Sequence, residues 1–370
     1  AWMLMLRDHG TLELRDVLEP AIHYARQGHP VLPRVAHTIA GLADYFRIHW
    51  PSSAETWLPG DEAPLPHADF ANPVLAQTWE RLLNEAGSAS SREARIDAAR
   101  RVWSQGFIAE RIDVFLREAE VMDVTGRAHK GVLTGADMAG WQAHFEAPAS
   151  RRFKGWEVFK TGAWGQGPAL LQALAMLEGC GLEEADPGGP EFVHAVTEAI
   201  KLAMADREAY YGDPDHAVIP LNTLLSDAYA RSRRALIGPD ASLEQRPGEI
   251  PGFYNQTLMA RANAARGALG ASVGGAGAGE PTMAHLTEKR GDTVHLDIID
   301  RHGNMVSATP SGGWLQSSPV VPGLGFALNT RAQMFWLEEG LPTSLAPGRR
   351  PRTTLSPSLA IRDDGTRLAF

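Results

Sequence analysis

Apolar residues recur at helical spacing through most of the first two thirds of the chain. In "TLELRDVLEPAIHYARQG" they mark one face, and the pattern stops at Gly28. The stretch "SREARIDAARRVWSQGFIAERIDVFLREA" predicts two helices separated near Gly106, and Thr134 is a candidate N-cap further along. The longest pattern begins near Pro190 and predicts a helix with a buried stripe made by Phe192, Val196, Ile200 and Met204.

The pattern changes to alternation of apolar and polar residues after residue 290. "TVHLDIID" alternates, "DRHGN" supplies a turn and "MVSAT" returns, which predicts a β-hairpin. Two further stretches, "RRFKGWEVFKTG" and "RTTLSPSLAIRDDG", are also strand-like. Between the helical part and the hairpin, residues 262–282 are mostly Ala, Gly and Ser. Such a stretch buries too little apolar surface to offset its ordering entropy, so we expect it to be flexible.

Composition narrows the classes of function. The 370 residues, 44% of them hydrophobic, are enough for a large core. The net charge of −9 argues against nucleic acid as a partner, because phosphate binding needs clustered cations, and we expect "RSRR" at 231–234 to be a solvated helix face. No apolar stretch approaches the length of a membrane span. The single cysteine, Cys180, excludes an internal disulfide and has no neighbouring His, which favours a packing role over a nucleophile.

Two other patterns are candidate binding sites. An acidic cluster at 206–215 suggests a cation, but its spacing fits no calcium loop, and a helix end followed by an Asp-Pro turn explains it better. No His or Cys pair has zinc spacing, so no metal site is predicted. The glycines of "GAWGQG" at 162–167 precede a helix and could cradle an anion, although a tight turn is the favoured interpretation. The Gly-x-Ser-x-Gly signature of serine hydrolases is absent.

Thr293, at the start of the predicted hairpin, suggests a different chemistry. A hydroxyl is a weak nucleophile unless a base lies beside it, and a free amine on the same residue can be that base. Cleavage of the Asp292–Thr293 bond would create this amine: the Thr293 hydroxyl attacks the Asp292 carbonyl, an ester forms and water hydrolyses it. A flexible segment, a small β-hydroxy residue and a rigid hairpin suit this chemistry. Threonines at strand starts are common, however, so these residues alone leave a plain linker as the favoured alternative.

Ordered landmarks along nearly the whole chain favour Thr293 as a nucleophile over the plain linker. "YARQGHPV", "KTGAWGQGPALLQAL", "ADREAYYGDPD" and "TSLAPGRRPRTTLSP" resemble landmarks of the γ-glutamyltranspeptidase family of N-terminal-nucleophile hydrolases. "TVHLDIIDRHGNMVSAT" resembles the start of that family's small subunit, whose first residue is the catalytic threonine. The resemblance implies an α+β fold, a four-layer αββα sandwich, made as a precursor that is cut at Asp292–Thr293. It calls for no metal or organic cofactor, since nucleophile, base and oxyanion donors can all come from the chain.

The resemblance also implies roles for single residues. Thr293 would be both the autoprocessing and the catalytic nucleophile, with its freed amine as base. Thr309 and Ser311 fall where the family places hydroxyl residues that hold the nucleophile's amine or hydroxyl. Thr353 and Thr354 replace a serine pair that contacts the substrate α-carboxylate, and a threonine keeps that hydroxyl.

Three positions depart from the family pattern. Gly313 stands where glutathione-using members have Asn, and Arg331 and Met334 replace the Gln and Asp that bind the glutamyl α-amino group. Arg331 would repel a substrate ammonium and attract a carboxylate. We therefore expect a divergent branch of the family, with Gly313, Arg331, Thr353 and Thr354 as substrate-binding positions.

The resemblance divides the chain into a partial, mostly helical large-subunit region at 1–261, a flexible segment at 262–292 and a truncated β-rich small-subunit region at 293–370, intertwined in one domain. Both ends look cut. The family's substrate-binding arginine would lie before Ala1, and the glycine pair of its oxyanion hole would follow "RLAF". Because loss of an oxyanion donor costs roughly 100- to 1000-fold in rate, we expect the fragment alone to be a poor catalyst.

The expected reaction is acyl transfer from an amide to water or an amino acid, with γ-glutamyl compounds such as glutathione as the default substrate. One alternative is an acylase of the cephalosporin or glutaryl type, and another is an uncleaved, non-catalytic family member that acts as a scaffold. The expected partners are the small-molecule amide and the two subunits of one precursor, without nucleic acid or membrane; a homo-oligomer is left open. The compartment is also left open, with a cytoplasmic location preferred over a periplasmic or secreted one.

Overall fold

The computed structural model describes residues 1–123, 125–253, 293–312 and 315–370. The expected flexible segment 262–292, with Asp292, and also Gly313 lie outside the described residues. The described residues form two compact units: unit 1 contains residues 1–145 and 312–330, and unit 2 contains residues 146–253, 293–311 and 331–370. Each unit therefore combines chain from both sides of Thr293.

Unit 1 is built mainly from helices. Its helices are α1 (Trp2–His9), α2 (Leu14–Gln27), α3 (Pro33–His49), α4 (Pro51–Trp57), α5 (Pro73–Ala86), α6 (Arg92–Gln105), α7 (Phe107–Glu118) and α8 (Gly135–Gly140), with a 3₁₀ turn at Pro59–Asp61. Short antiparallel pairs join β1 (His29–Pro30) to β2 (Asp69–Phe70) and β3 (Val121–Met122) to β4 (Ala128–His129). Val321 and Leu324, from the chain after Thr293, are buried in the same cluster as Leu82 and Ile108.

The helix boundaries predicted for unit 1 are confirmed, and each has a local cause. Gly28 ends α2 with φ +95°, a conformation that favours glycine. A Cβ on Gly106 would lie 2.8 Å from the Val102 carbonyl oxygen, so a glycine is needed where the chain turns from α6 to α7. Thr134 and Asp137 form a capping box at the start of α8, with each side chain accepting a hydrogen bond from the other residue's backbone N–H.

Unit 2 combines helices with antiparallel sheet. Its helices are α9 (Gly167–Leu177), α10 (Pro190–Tyr210), α11 (Leu221–Leu224) and α12 (Asp227–Arg234), with a 3₁₀ turn at Arg331–Met334. Its strands are β5 (Ala149–Phe153), β6 (Trp156–Lys160), β7 (Leu296–Ile299), β8 (Met305–Ala308), β9 (Ser358–Arg362) and β10 (Arg367–Ala369).

Four of these strands form one antiparallel sheet in the order β10-β9-β6-β5. The central pair, β6 and β9, joins residues from both sides of Thr293 in a five-residue register that runs from Trp156↔Arg362 to Lys160↔Ser358. Leu171 of α9 is buried against Val158 and Ala360, so α9 covers one face of the sheet. The predicted hairpin is present as β7 and β8.

The stripe predicted for α10 is wrong. Ile200 is 47% exposed, whereas the row formed by Ala195, Ala199 and Ala203 is buried. Ala199 and Ala203 pack with Ala169 and Ala173 of α9 in one cluster. Small side chains on both helices allow a close approach, so the buried face follows the alanines, and the larger residues every four positions lie at its flank.

Two residues of the acidic cluster pair with arginines. Asp206 pairs with Arg233 of the basic run, and Asp213 pairs with Arg350. Arg233 of "RSRR" is only 4% exposed and lies 3.3 Å from the fully buried Asp206, so the expectation of a solvated face is wrong at this residue. Burial raises the pKa of the Asp206 carboxyl despite the Arg233 charge beside it. Asp213 accepts two hydrogen bonds from the Arg350 side chain, from Nε and Nη2, in the turn that follows α10. The helix end and turn predicted for this cluster are thus observed.

Candidate active site

Thr293 and Ser311 face each other at the open end of the β7–β8 hairpin. They form an antiparallel bridge, and the Val294 N–H donates to the Pro310 carbonyl at 3.2 Å. The bridge continues the strand register, in which Leu296 lies opposite Ala308. The rigid hairpin therefore fixes the backbone on which Thr293 stands, while its side chain is exposed.

A chain of hydrogen bonds leads from Thr293 to a second segment of unit 2. The Thr293 hydroxyl donates to the Ser311 Oγ at 3.1 Å, and the same oxygen accepts from Arg331 Nη2 at 3.1 Å. Arg331 Nη1 donates to the Thr354 Oγ1 at 3.4 Å. Arg331 is only 8% exposed, so its guanidinium is held between the two hydroxyls. Four of the residues that the sequence singled out, namely Thr293, Ser311, Arg331 and Thr354, are brought together in this way.

The loop before α9 holds the segment that contains Thr353 and Thr354. The Thr353 N–H donates to the Trp164 carbonyl at 2.9 Å, and the Gln166 N–H donates to the Leu355 carbonyl at 3.4 Å. The loop itself is closed by a 2.9 Å bond from the Gly165 N–H to the Gly162 carbonyl, which confirms the tight turn predicted from its glycines.

The two neighbouring threonines play different parts in this segment. Thr353 is buried, and its hydroxyl accepts from the Leu355 N–H at 2.9 Å. Thr354 is exposed, and its hydroxyl contacts Arg331. Thr354 is therefore the residue of the pair that presents a hydroxyl beside the guanidinium, and Thr353 shapes the backbone.

Thr309 is engaged by residues that the sequence analysis did not single out. His295 Nδ1 lies 2.8 Å from the Thr309 Oγ1, and His295 Nε2 lies 2.7 Å from the Asp297 Oδ2. A signal for them was present: Thr293, His295 and Asp297 alternate along β7 and its approach, which places them on one face. The apolar half of this alternation predicts the hairpin, and the polar half is the signal that indicates these two residues.

Two arginines give the surroundings of Thr353 a positive charge. Arg352 is 1% exposed and donates to the Arg207 carbonyl at 3.0 Å and to the Glu208 Oε2 at 2.7 Å. Arg207 is 2% exposed and donates to the other oxygen of Glu208. Burial, with the Arg352 charge as a further cause, lowers the pKa of Arg207 to about 10. Two buried cations thus share one carboxylate directly behind the Thr353 segment.

Lys160 is another buried cation, at the end of β6 where the loop to α9 begins. It is 3% exposed, and its ammonium donates to the Ser356 carbonyl at 2.6 Å and to the Ser358 hydroxyl. Burial lowers the pKa of this ammonium to about 8.

Two other residues singled out by the sequence, Met334 and Cys180, also lie in unit 2. Met334 ends the 3₁₀ turn that begins at Arg331 and is half-buried. The Cys180 thiol donates to the Met176 carbonyl at 3.4 Å, and burial raises its pKa, which suits a packing role.

Within the described ranges, no three His, Cys, Asp or Glu side chains are grouped so that they could bind a metal ion. No helix in the same ranges has the length and apolar character needed to cross a membrane.

The family model described as Gamma-glutamyltranspeptidase matches residues 1–370, the whole chain. This chain belongs to the γ-glutamyltranspeptidase family. The resemblance inferred from its ordered landmarks is therefore confirmed.

Proteins similar to this chain carry several different names. A solved structure titled LmbA2991HD is 50% identical, with a TM-score of 0.86 over 98% of this chain and 59% of the other. Cephalosporin acylase from Bacillus halodurans is 25% identical, with a TM-score of 0.74 over 98% of this chain and 56% of the other. Acylase ACY 1 proenzyme of Pseudomonas sp. (strain V22) is 27% identical over all of this chain and 55% of its own length.

These comparisons confirm the α+β fold of the N-terminal-nucleophile hydrolase type for this γ-glutamyltranspeptidase family member. They also show that the chain spans little more than half the length of the relatives named here.

Proposed function

We propose that this chain carries the nucleophile of an autoprocessing threonine amidohydrolase or acyltransferase, and that Thr293 is that nucleophile. The observation that carries the proposal is the Thr293 hydroxyl, exposed at the end of a rigid hairpin and bonded to Ser311, which in turn bonds to the buried Arg331. Membership of the γ-glutamyltranspeptidase family supports it.

In the proposed processing step, the Thr293 Oγ attacks the carbonyl carbon of Asp292. The C–N bond between the two residues breaks, an ester forms between the Asp292 acyl group and the Thr293 oxygen, and the former amide nitrogen becomes a free amine. Water then hydrolyses the ester. The hydrogen bond to Ser311 restricts the rotation of the Thr293 side chain, and such positioning is a large part of what lowers the barrier of an attack of this kind.

The catalytic step repeats this chemistry on an amide substrate. The free amine of Thr293 accepts the hydroxyl proton while the oxygen attacks the substrate carbonyl, and the leaving amine takes up the proton. The resulting acyl ester on Thr293 is resolved by water, which gives hydrolysis, or by an amino acid, which gives transfer.

Two acyl groups are candidates, and both carry a carboxylate. γ-Glutamyl amides such as glutathione are the default for the family. A glutaryl-type amide is the second candidate, favoured by Arg331, because this cation stands where the family's pattern has residues that bind the glutamyl α-amino group. The similarity to proteins named acylases supports the second candidate. In both cases we propose that Arg331 and Thr354 receive the substrate carboxylate, because the guanidinium and the exposed hydroxyl lie within hydrogen-bond distance of each other.

The test is an intact-mass measurement on the full-length protein that contains this chain, beside its Thr293→Ala and Thr293→Ser variants. We expect the wild type and the serine variant to split before residue 293 and the alanine variant to stay whole. Thr197→Ala serves as a matched control, because Thr197 is exposed on α10 and its hydroxyl donates to the Val193 carbonyl of its own helix. The cleaved protein is then assayed with γ-glutamyl-p-nitroanilide and glutaryl-p-nitroanilide.

Each outcome of this test decides something. Faster turnover of the glutaryl amide would assign the acylase-like specificity, and faster turnover of the γ-glutamyl amide would assign the family default. If the wild type stays whole after long incubation and hydrolyses neither amide, the proposal is wrong, and the uncleaved scaffold becomes the better account.

A further inference from the structure

The polar face of the hairpin is a ladder of three cross-strand pairs. In the register of β7 and β8, Thr293 lies opposite Ser311 and Asp297 lies opposite Ser307, and His295 and Thr309 form the pair between them. Successive pairs lie about 7 Å apart along a strand, on the same face. The nucleophile pair is thus the top rung of a polar ladder, and it stands directly above His295 and Thr309.

Hydrogen bonds tie the two lower rungs together. Asp297 Oδ2 lies 2.7 Å from His295 Nε2, and His295 Nδ1 lies 2.8 Å from the Thr309 hydroxyl. Below them, the Ser307 hydroxyl accepts from the Ser358 N–H of β9 at 3.1 Å, which fixes the hairpin to the main sheet. The series Asp297, His295, Thr309 therefore runs towards the nucleophile from a fixed base.

The chemistry of these groups sets the direction of each bond. An ionised carboxylate only accepts hydrogen bonds, so the Asp297 contact places the proton of a neutral His295 on Nε2. Nδ1 is then a bare acceptor, and the Thr309 hydroxyl must donate its one proton to it. Thr309 is left with only lone pairs to offer to the rung above.

We propose that His295 and Asp297 are positioning residues, which hold Thr309 as a pure hydrogen-bond acceptor for the free amine of Thr293. This inference rests on the proposed function of Thr293. The amine can act as a base only while its lone pair points to its own hydroxyl. An acceptor at Thr309 holds an N–H of the amine and leaves that lone pair free, whereas a donor at Thr309 would occupy it.

Asp297→Asn is the variant that separates positioning from simple packing. The asparagine has nearly the same size, but its amide N–H can donate to Nε2, which moves the imidazole proton to Nδ1 and turns the Thr309 hydroxyl towards the amine. In the cleaved full-length protein we expect kcat to fall on the order of 10- to 100-fold, the range that follows from small misplacements of reacting groups, with KM changed less than about twofold. The melting temperature should stay close to that of the wild type.

Four further variants complete the test. His295→Asn shortens the side chain and breaks the link to Asp297, so we expect it to match Asp297→Asn. His302→Asn is the matched control, because His302 is exposed in the turn between β7 and β8. Thr309→Val should reproduce the loss of kcat, and Thr309→Ser should restore most of it. Wild-type kcat in both Asp297→Asn and His295→Asn would overturn the proposal, as would equal losses in Thr309→Val and Thr309→Ser.

A failure here can be told apart from a failure of the proposed function. If the wild type cleaves, Thr293→Ala does not, and Asp297→Asn, His295→Asn and Thr309→Val all turn over normally, Thr293 stands as nucleophile and only the positioning role is lost. If the wild type itself neither cleaves nor hydrolyses an amide, the fault lies with the proposed function.

Discussion

The guanidinium of Arg331 connects Ser311, the hydrogen-bond partner of the proposed nucleophile, to the predicted substrate segment. It donates to the Ser311 Oγ at 3.1 Å and to the Thr354 Oγ1 at 3.4 Å. A cation so placed has two possible effects: it holds the Ser311 oxygen in position, and it attracts a substrate carboxylate. The two effects differ in kinetics, because binding of the ground state acts on KM and positioning of the nucleophile acts on kcat.

Arg331→Gln tests which effect dominates. The amide keeps hydrogen-bonding capacity and removes the charge, so we expect KM for an amide with an anionic acyl group to rise roughly 10- to 100-fold, which corresponds to loss of a charge-assisted hydrogen bond. The discrimination between glutaryl and γ-glutamyl amides should shrink at the same time. Steady-state kinetics on both p-nitroanilides provide the measurement.

Arg362→Gln is a suitable control for that experiment, since Arg362 is exposed on β9 and pairs with Asp364 at the surface. A fall in kcat for Arg331→Gln with an unchanged KM would assign Arg331 to the nucleophile and not to the substrate.

At the scale of single residues, the sequence predicted Thr293, Ser311, Arg331 and Thr354, because each stands at a position of a recognisable motif. It did not predict that Thr353 turns its hydroxyl to the Leu355 N–H or that His295 and Asp297 are linked to Thr309. Those contacts depend on strand register and on side-chain rotamers, and neither is written in a motif.

At the scale of elements, predictions succeeded where local signals decide and failed where a neighbour decides. The α2 end at Gly28, the break at Gly106 and the hairpin turn after Asp300 follow from backbone conformation and turn residues. The face that α10 buries depends on the alanines that α9 presents to it. A regular apolar spacing on α10 alone could not reveal that partner.

Lys160, the last residue of strand β6, is a buried titratable group, so we expect the stability of the folded chain to depend on pH. Lys160 has an ordinary pKa of 10.5, and burial lowers it to about 8 in the folded chain. Between these values the unfolded chain binds a proton at this site and the folded chain does not, so the contribution of Lys160 to stability rises with pH, by up to about 1 kcal/mol per pH unit. Below about pH 8 the buried ammonium is charged, and this contribution is at its least favourable.

The measurement compares urea unfolding of the wild type and Lys160→Met from pH 7 to pH 10. We expect the stability of the wild type relative to the variant to increase across this range, because other titrating groups are common to both proteins. Lys130→Met, with its side chain exposed in unit 1, controls for the loss of a lysine. A difference between wild type and Lys160→Met that is flat with pH would show that Lys160 keeps an ordinary pKa in the folded protein.

At the scale of the whole molecule, each compact unit is built from chain that precedes and chain that follows Thr293. In unit 2, β6 pairs with β9 along five residues at the centre of the sheet. In unit 1, Val321 and Leu324 have no exposed surface and pack with residues of α5 and α7. A cut before Thr293 removes one peptide bond and none of these contacts.

We therefore predict that the two products of cleavage stay together. Separating them would expose Val321, Leu324 and Ala360, and each large apolar side chain moved into water costs about 1.5–3 kcal/mol, in addition to the broken strand pairing of β6 and β9. Cleaved protein should elute from a sizing column at the volume of the uncleaved Thr293→Ala variant and separate into two masses only in denaturant. Elution as two smaller species in native buffer would mean that the β6–β9 pairing does not survive the cut, and that the hairpin which carries Thr293 loses its support once the bond is broken.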